Sequence, residues 1–335
     1  MKIGILAITE GGKRLAADLA AKMPETLLLP QKGGVAQILA QHWRELDGFV
    51  CIMAAGIVVR AIAPILQGKE SDPCVVVVVD EKGRHAVSLL SGHLGGGNDL
   101  ARQVAALSGG EAVITTASDT LGLAALDLWA RGQDLVCESK EGLTRASAKL
   151  VNTGRLKIYS EMAIASLPHG LEAVAGPEQA EIVVSARIAD YGPAVVFRPR
   201  NLVVGVGCNR GTPVAELRQA CEELFAERNL SQLSIRNLAS IDLKQDEVGL
   251  LAFAEERGWR LDFFSKEELN RVENITVSEA ALRNVGAVGV AEPAALLSAQ
   301  SNDLLVGKKK WRNVTMAVAR ASCTLSKQDR ALLDI

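Results

Sequence analysis

Ser88–Ala101, SLLSGHLGGGNDLA, holds the densest set of residue types with chemical capacity in this chain. His93 is of the side-chain type that exchanges protons near pH 7, and Ser91 stands two residues before it. Gly95, Gly96 and Gly97 let a backbone approach a ligand closely, and Asn98-Asp99 opens a helix whose N-terminus favours an anion. The same residues equally suit a glycine-rich turn with an exposed histidine and Asn98 or Asp99 as a helix cap. Neither G-x-G-x-x-G nor G-x-x-x-x-G-K-[ST] occurs here, so the stretch is no nucleotide fingerprint.

Four further segments carry polar groups at positions where strands should end. In Ala54–Pro64, AAGIVVRAIAP, Arg60 is the single charge on an apolar helix. A half-buried arginine wants an anion, and either a ligand carboxylate or a structural ion pair matches its fork. The hydroxyl-rich run Thr115-Thr116-Ala117-Ser118-Asp119 suits ligand contacts through Thr116, or the cap of a helix from Leu121. Gly205–Pro213, GVGCNRGTP, would seat an anion near Gly207, Arg210 and Thr212. Arg210 occupies the place of a third fingerprint glycine, and Thr212-Pro213 is a helix start. Cys208 has no histidine near it in sequence and reads as a small buried residue. Ala239–Leu250, ASIDLKQDEVGL, offers Lys244 among acids, in what is also a polar turn before a capped helix. Ser278-Glu279 and Val290–Pro293 read as a cap and a turn unless the fold brings them to one rim. Lys308-Lys309-Lys310 with Arg312 reads as a solvated loop that also suits steering of a polyanion.

These segments need rigid elements beneath them, and the apolar patterning supplies them. Ile3–Ile8, Gly48–Ala54, Cys74–Val79, His85–Leu90 and Ala112–Ile114 read as strands. Leu15–Ala21, Val35–Trp43 and Asp99–Leu107 between them follow helical spacing. CVVVVV is β-branched on both faces, as expected of a strand covered by helices on each side. Residues 133–200 show one helix (Glu141–Val151), short extended pieces and turn signals in LPHG, AGPEQ and DYGPA. A fresh alternation starts at Leu202–Val206. It continues through Val214–Arg228, Ile235–Ile241, Val248–Arg257 and Leu261–Phe264 to strands at Asp303–Val306 and Val314–Ala319. The expected architecture is two mostly parallel-sheet α/β domains, 1–132 and 201–335, joined by a small middle module at 133–200.

Composition narrows the function classes. The length, 335 residues, suits two domains or three small ones, and 48% hydrophobic with 23% charged residues excludes disorder. The net charge of −2 advertises neither a nucleic-acid nor a membrane surface, and 4% aromatics leave no base-stacking platform. The apolar run Phe49–Val59 ends at Arg60, too short for a bilayer, and no signal-peptide pattern opens the chain. A cytoplasmic protein is expected. Six scattered cysteines lack C-x-x-C spacing and four histidines lack H-E-x-x-H spacing, so neither a disulfide framework nor a protein-bound metal is expected.

Taken as a set and in their order along the chain, AAGIVVRAIAP, SLLSGHLGGGNDLA, GVGCNRGTP and ASIDLKQDEVGLLA resemble the cobalt-precorrin-5A hydrolase (CbiG) family of anaerobic cobalamin biosynthesis. The resemblance covers about residues 1–130 and 201–320 and is faint between them. Asn209 departs from it, since family members often carry a second basic residue beside Arg210. The resemblance implies a cobalt-bound, ring-contracted tetrapyrrole substrate with a δ-lactone and many carboxylate arms. It implies lactone opening, with the extruded carbon and its methyl group leaving as acetaldehyde to give cobalt-precorrin-5B. Such a reaction needs a proton carrier, for which His93 with Ser91 beside it is the candidate catalytic pair. It also needs donors for the carboxylates, and Arg60, Gly95, Gly96, Asn98, Thr116, Gly207, Arg210, Thr212 and Lys244 are the candidates. No cofactor is implied, because cobalt arrives in the substrate. The implied partners are that substrate and other enzymes of the corrin pathway. A shared cleft is the expected arrangement, with loops 91–98 and 207–212 facing it and Arg60 and Arg210 on opposite walls. A non-catalytic tetrapyrrole carrier and an anion- or nucleotide-binding α/β protein are the rival classes.

Overall fold

The computed structural model describes residues 1–30, 33–68, 71–92, 95–115, 121–273, 275 and 277–327. The chain divides into two compact units, Met1–Leu128 and Trp129–Ile335. In the first unit, β1 (Ile3–Ala7), β2 (Thr26–Leu28), β3 (Gly48–Ile52), β4 (Cys74–Val78), β5 (His85–Leu90) and β6 (Glu111–Val113) form one sheet. Its order is β2-β1-β3-β4-β5-β6. Helices α1 (Glu10–Lys22), α2 (Val35–His42), α3 (Ala55–Ile62) and α4 (Gly97–Ser108) cover it.

The two faces follow directly from strand alternation. Cys74, Val76 and Val78 of β4 pack with α1 and α4, whereas Val75 and Val77 pack with α2 and α3. Each such valine stabilises by roughly 1.5–3 kcal/mol relative to an exposed one. Helix α1 begins at Glu10, earlier than the apolar spacing from Leu15 indicates, because the Thr9 hydroxyl caps it by accepting from the Gly12 amide at 3.1 Å.

Strand direction holds a second difference. Strands β1–β4 are mutually parallel, but β5 runs antiparallel to β4, and β6 is parallel to β5. The carboxyl end of β5 therefore lies at the edge where β1, β3 and β4 begin. Helix α3 starts at the opposite edge, beyond the carboxyl end of β3.

The second unit begins within α5 (Leu126–Gly132) and holds two five-stranded sheets and a two-stranded one. In the first, β7 (Leu135–Cys137), β8 (Leu156–Ser160), β10 (Leu171–Ala173), β11 (Ile182–Val184) and β12 (Val195–Pro199) take the order β10-β8-β11-β12-β7. Helix α6 (Lys140–Thr153) accompanies them, and β9 (Ala163–Ile164) pairs with β18 (Thr324–Leu325). The stretch whose sequence suggests a small module thus has a sheet of its own. It joins the rest of the unit through backbone bonds such as Ser231 N–H to the Ala186 carbonyl at 2.8 Å.

In the second sheet, β13 (Leu202–Cys208), β14 (Ile235–Ile241), β15 (Arg260–Phe264), β16 (Leu304–Lys310) and β17 (Val314–Arg320) take the order β15-β14-β13-β17-β16. Strands β13–β15 are parallel, β17 is antiparallel to β13, and β16 is antiparallel to β17. Helices α7 (Val214–Glu227) and α8 (Val248–Arg257) cover one face. Helix α11 (Ala291–Ala299), preceded by α9 (Lys266–Leu269) and α10 (Glu279–Val285), covers the other. Gly205 makes this packing possible: a Cβ there would lie 1.8 Å from the Ala291 carbonyl oxygen.

Candidate functional site

Strand order reverses beside β13, and a crevice is expected outside the carboxyl end of such a strand. A cleft of about 690 Å³ opens at that place. The end of β13 supplies Gly207, Cys208, Asn209 and Arg210, and the turn after β14 supplies Lys244. Ser278 and Glu279 come from the start of α10, and Val290 and Ala291 from the start of α11. The hairpin contributes Lys308, Lys310, Trp311 and Arg312. Segments far apart in sequence, weak when read singly, thus share one rim.

Two of the cations are held by acids of the protein. Arg210 is paired with Asp246, donates to the Leu243 carbonyl at 3.1 Å and lies 3.8 Å from a Glu247 oxygen. The hydrogen bond from Arg210 holds the Asp246 carboxyl below its ordinary value. Lys244 lies 3.2 Å from Glu247, and both side chains are buried. Glu247 also accepts from the Gly211 amide at 2.8 Å, and the Thr212 hydroxyl donates to the Asn209 carbonyl at 2.8 Å. This network fixes the Cys208–Pro213 turn. Burial pushes the Cys208 thiol up to about 11, which keeps it protonated at neutral pH.

The other cations lack acidic partners among the described residues. Arg283 donates to the Glu279 carbonyl of its own helix at 3.4 Å. Lys308, Lys310 and Arg312 make no side-chain ion pair there. Lys309 points elsewhere, bonded to Glu227 with its ammonium 4.8 Å from the Trp311 ring centroid. Alternation along β16 is the reason: Lys308 and Lys310 share one side of the strand and Lys309 takes the other. Val290 and Ala291 at the start of α11 line the same space, and the buried Glu292 carboxylate in its first turn accepts from the Lys308 amide at 2.8 Å.

In the first unit, Ser91, Gly95, Gly96 and Asn98 gather at the carboxyl end of β5. Ser91 adopts a left-handed backbone (φ 52°) and donates its hydroxyl to the Asp72 carbonyl at 3.0 Å. The Gly97 and Asn98 amides donate to the carbonyls of Ser91 and Gly92 at 3.1 and 2.9 Å. Glycine is demanded here by self-packing: a Cβ on Gly95 would lie 2.5 Å from that of Ser91, and one on Gly97 2.8 Å from the Leu90 carbonyl oxygen. Asn98 is buried. His93 and Thr116 lie outside the described residues.

Arg60 sits at the opposite edge of this sheet. Its guanidinium is exposed and reaches back to the Gly56 carbonyl at 3.1 Å, with no ion pair among the described residues. Five-residue strands at about 3.3 Å per residue set the two edges roughly 15 Å apart. The sheet therefore separates Arg60 from Ser91, Gly95, Gly96 and Asn98. In the second unit Gly207, Arg210, Thr212 and Lys244 do come together. Arg283 is absent from the sequence-derived candidates, and Lys308, Lys310 and Arg312 figure in the sequence only as a solvated run suited to steering a polyanion. The basic run at 308–312 is their only local signal, and alternation on a strand is what assigns its members to a side.

Among the described residues no group of three or more His, Cys, Asp or Glu is placed to hold a metal ion. No described helix is long and apolar enough to cross a membrane.

Comparison with known proteins gives matches along most of the chain. The family model described as Cobalamin synthesis G N-terminal matches residues 37–119, and that described as Cobalamin synthesis G C-terminus matches residues 202–319. A cobalt-precorrin-5A hydrolase of Priestia megaterium is 38% identical over 307 residues, covering 86% of this chain and 82% of that protein. A second, from Salmonella typhimurium, is 32% identical over 350 residues, covering 95% and 97%. Protein CobE of a Sinorhizobium species is 30% identical over 133 residues, covering 38% of this chain and 85% of that protein.

Proposed function

The chain belongs to the cobalt-precorrin-5A hydrolase family of cobalamin synthesis, and from that membership we propose that it hydrolyses cobalt-precorrin-5A. The observation that carries the proposal is the 38% identity to a cobalt-precorrin-5A hydrolase over 86% of the chain. The basic cleft beside β13 suits a ligand with several carboxylates, and the volume of about 690 Å³ falls within the range of small-molecule sites.

In the proposed reaction, water adds to the lactone carbonyl and the acyl C–O bond breaks, leaving a carboxylate and a hydroxyl on the extruded carbon. That hydroxyl loses its proton as the bond from the extruded carbon to the ring breaks. Acetaldehyde departs, and the ring carbon gains a proton to give cobalt-precorrin-5B. His93 is assigned the proton transfers, with Ser91 beside it. Gly95, Gly96, Asn98, Thr116 and Arg60 are assigned substrate contacts from the first unit; in the second, Arg210, Thr212 and Lys244 are assigned the shaping of the turn that presents Gly207 to the substrate. Cobalt is a passenger of the substrate, and no resident metal is assigned.

Incubating the folded chain with the cobalt-bound lactone substrate, without added metal or nucleotide, should release acetaldehyde and the ring-opened product together. Tight binding of authentic substrate with no acetaldehyde would replace the hydrolase with a carrier.

A further inference from the structure

We infer that the substrate's carboxylate arms are held by the cations of the second unit's cleft that lack an acidic partner, Lys308, Lys310 and Arg312 with Arg283, while Arg210 and Lys244 position the turn. The identity of the ligand rests on the hydrolase reading; the place where its charges bind rests on the geometry alone.

Charge accounting separates the two groups. Lys244 cannot leave Glu247 cheaply, because Glu247 is 2% exposed and its carboxylate would lose a cation inside the protein. Arg210 is likewise occupied by Asp246 and the Leu243 carbonyl. Of the carboxylates lining the cleft, Glu279 is the one among the described residues, and no ion pair engages it. The excess positive charge therefore lies on Arg283, Lys308, Lys310 and Arg312. It does not reflect composition, since the whole chain carries a net charge of −2.

The surroundings fit a flat polycarboxylate. Ile241, Val277, Val285, Val290 and the Trp311 indole give the cleft apolar walls, and Val277 is 60% exposed, surface that a macrocycle would cover. Trp311 is itself anchored, its indole N–H donating to Glu223 at 2.7 Å, so the hairpin tip holds its charges in place.

The test uses the full chain, titrated with uroporphyrin, a porphyrin bearing carboxylates on every peripheral arm, and with coproporphyrin, which bears fewer. A Lys308→Ala/Lys310→Ala/Arg312→Ala variant should bind uroporphyrin on the order of 100-fold more weakly at low salt, from roughly tenfold for each strong contact and less for the most exposed one. The loss should shrink as salt rises and be smaller for coproporphyrin. Lys309→Ala, on the other side of the same strand, should bind like the wild type. Melting temperatures establish that each variant is folded, and Lys310→Gln and Arg312→Gln singly replace the triple variant if it is not. With authentic substrate the loss should fall on KM rather than kcat. Wild-type affinity in the folded variants, or an equal loss in Lys309→Ala, overturns the inference. Acetaldehyde release with an unaltered KM in the triple variant overturns it while sparing the hydrolase. Porphyrin binding that depends on these cations, without acetaldehyde release by the wild type, sinks the hydrolase and leaves the cleft.

Discussion

The loop after β5 in the first unit and the cleft beside β13 in the second both sit at the carboxyl end of a strand, yet their polar groups have opposite fates. In the loop, the Ser91 hydroxyl is taken up by the Asp72 carbonyl and the backbone amides of Gly97 and Asn98 by the carbonyls of Ser91 and Gly92. In the cleft, one set of cations is absorbed by Asp246 and Glu247, and a second set has no ion pair among the described residues. In a run of glycines that looks made for a ligand, Gly95 and Gly97 are thus accounted for by close packing and Gly96 by its left-handed backbone (φ 79°). A run of lysines that looks like a solvated loop supplies the open charge. What decides between these outcomes is whether partners remain inside the protein, not how conspicuous the motif is.

The sharpest test of that contrast is His93→Ala. If the loop contributes chemistry through its side chain and not its backbone, turnover should fall by roughly two to four orders of magnitude with the fold and porphyrin binding intact. Near-normal turnover would reduce the loop to a structural turn and leave the cleft as the one candidate of the pair. Arg60 tests the other edge of the same sheet. Since its own helix alone engages it among the described residues, Arg60→Ala should leave the melting temperature unchanged. It should weaken substrate binding by about 1–3 kcal/mol at low salt, and by less as salt rises. An unchanged KM at low salt would confine substrate contacts to elsewhere in the chain. The smallest effect belongs to Cys208. Its thiol, pushed up to about 11 by burial, gains thiolate only as pH climbs towards that value. Iodoacetamide at pH 8 should leave it largely unmodified and Cys208→Ser should retain turnover; rapid alkylation with loss of activity would make it a nucleophile after all.

Much of the scaffold is legible in the sequence because burial is written locally. The alternating valines of β4 and the apolar periodicity of α7 and α8 mark strands and helices whatever their neighbours are. The early start of α1 is less legible, because two glycines at its first turn weaken the helical pattern while a single hydroxyl, that of Thr9, restores it. The short strands β7, β8, β10, β11 and β12 are hardest, since runs of three to five residues in turn-rich sequence leave little periodicity to detect. In the candidate site, Gly207, Arg210, Thr212 and Lys244 stand together as their strand-end positions imply. Lys308, Lys310, Arg312 and Arg283 are invisible as a group, because no local feature says that a hairpin and a helix start will face a turn some hundred residues earlier.

The sequence by itself determined which residues would be buried, where most strands and helices lie, and that turns rich in glycine and charge would cluster at strand ends. These depend on interactions between near neighbours, which composition and spacing record. The tertiary structure alone decided that β5 reverses against β4, placing Ser91 and Arg60 at opposite edges of one sheet. It alone decided that β17 pairs with β13, bringing the start of one strand beside the end of the other. An apolar run pairs as readily parallel as antiparallel, and its side chains alternate identically in both, so direction leaves no mark on the residues. Pairing of β14 with β13 brought Asp246 and Glu247 to Arg210, Lys244 meets Glu247 within three residues of its own chain, and the side chains of Lys308, Lys310 and Arg312 are left without an ion pair among the described residues; this distribution of partners separates a binding charge from a structural one.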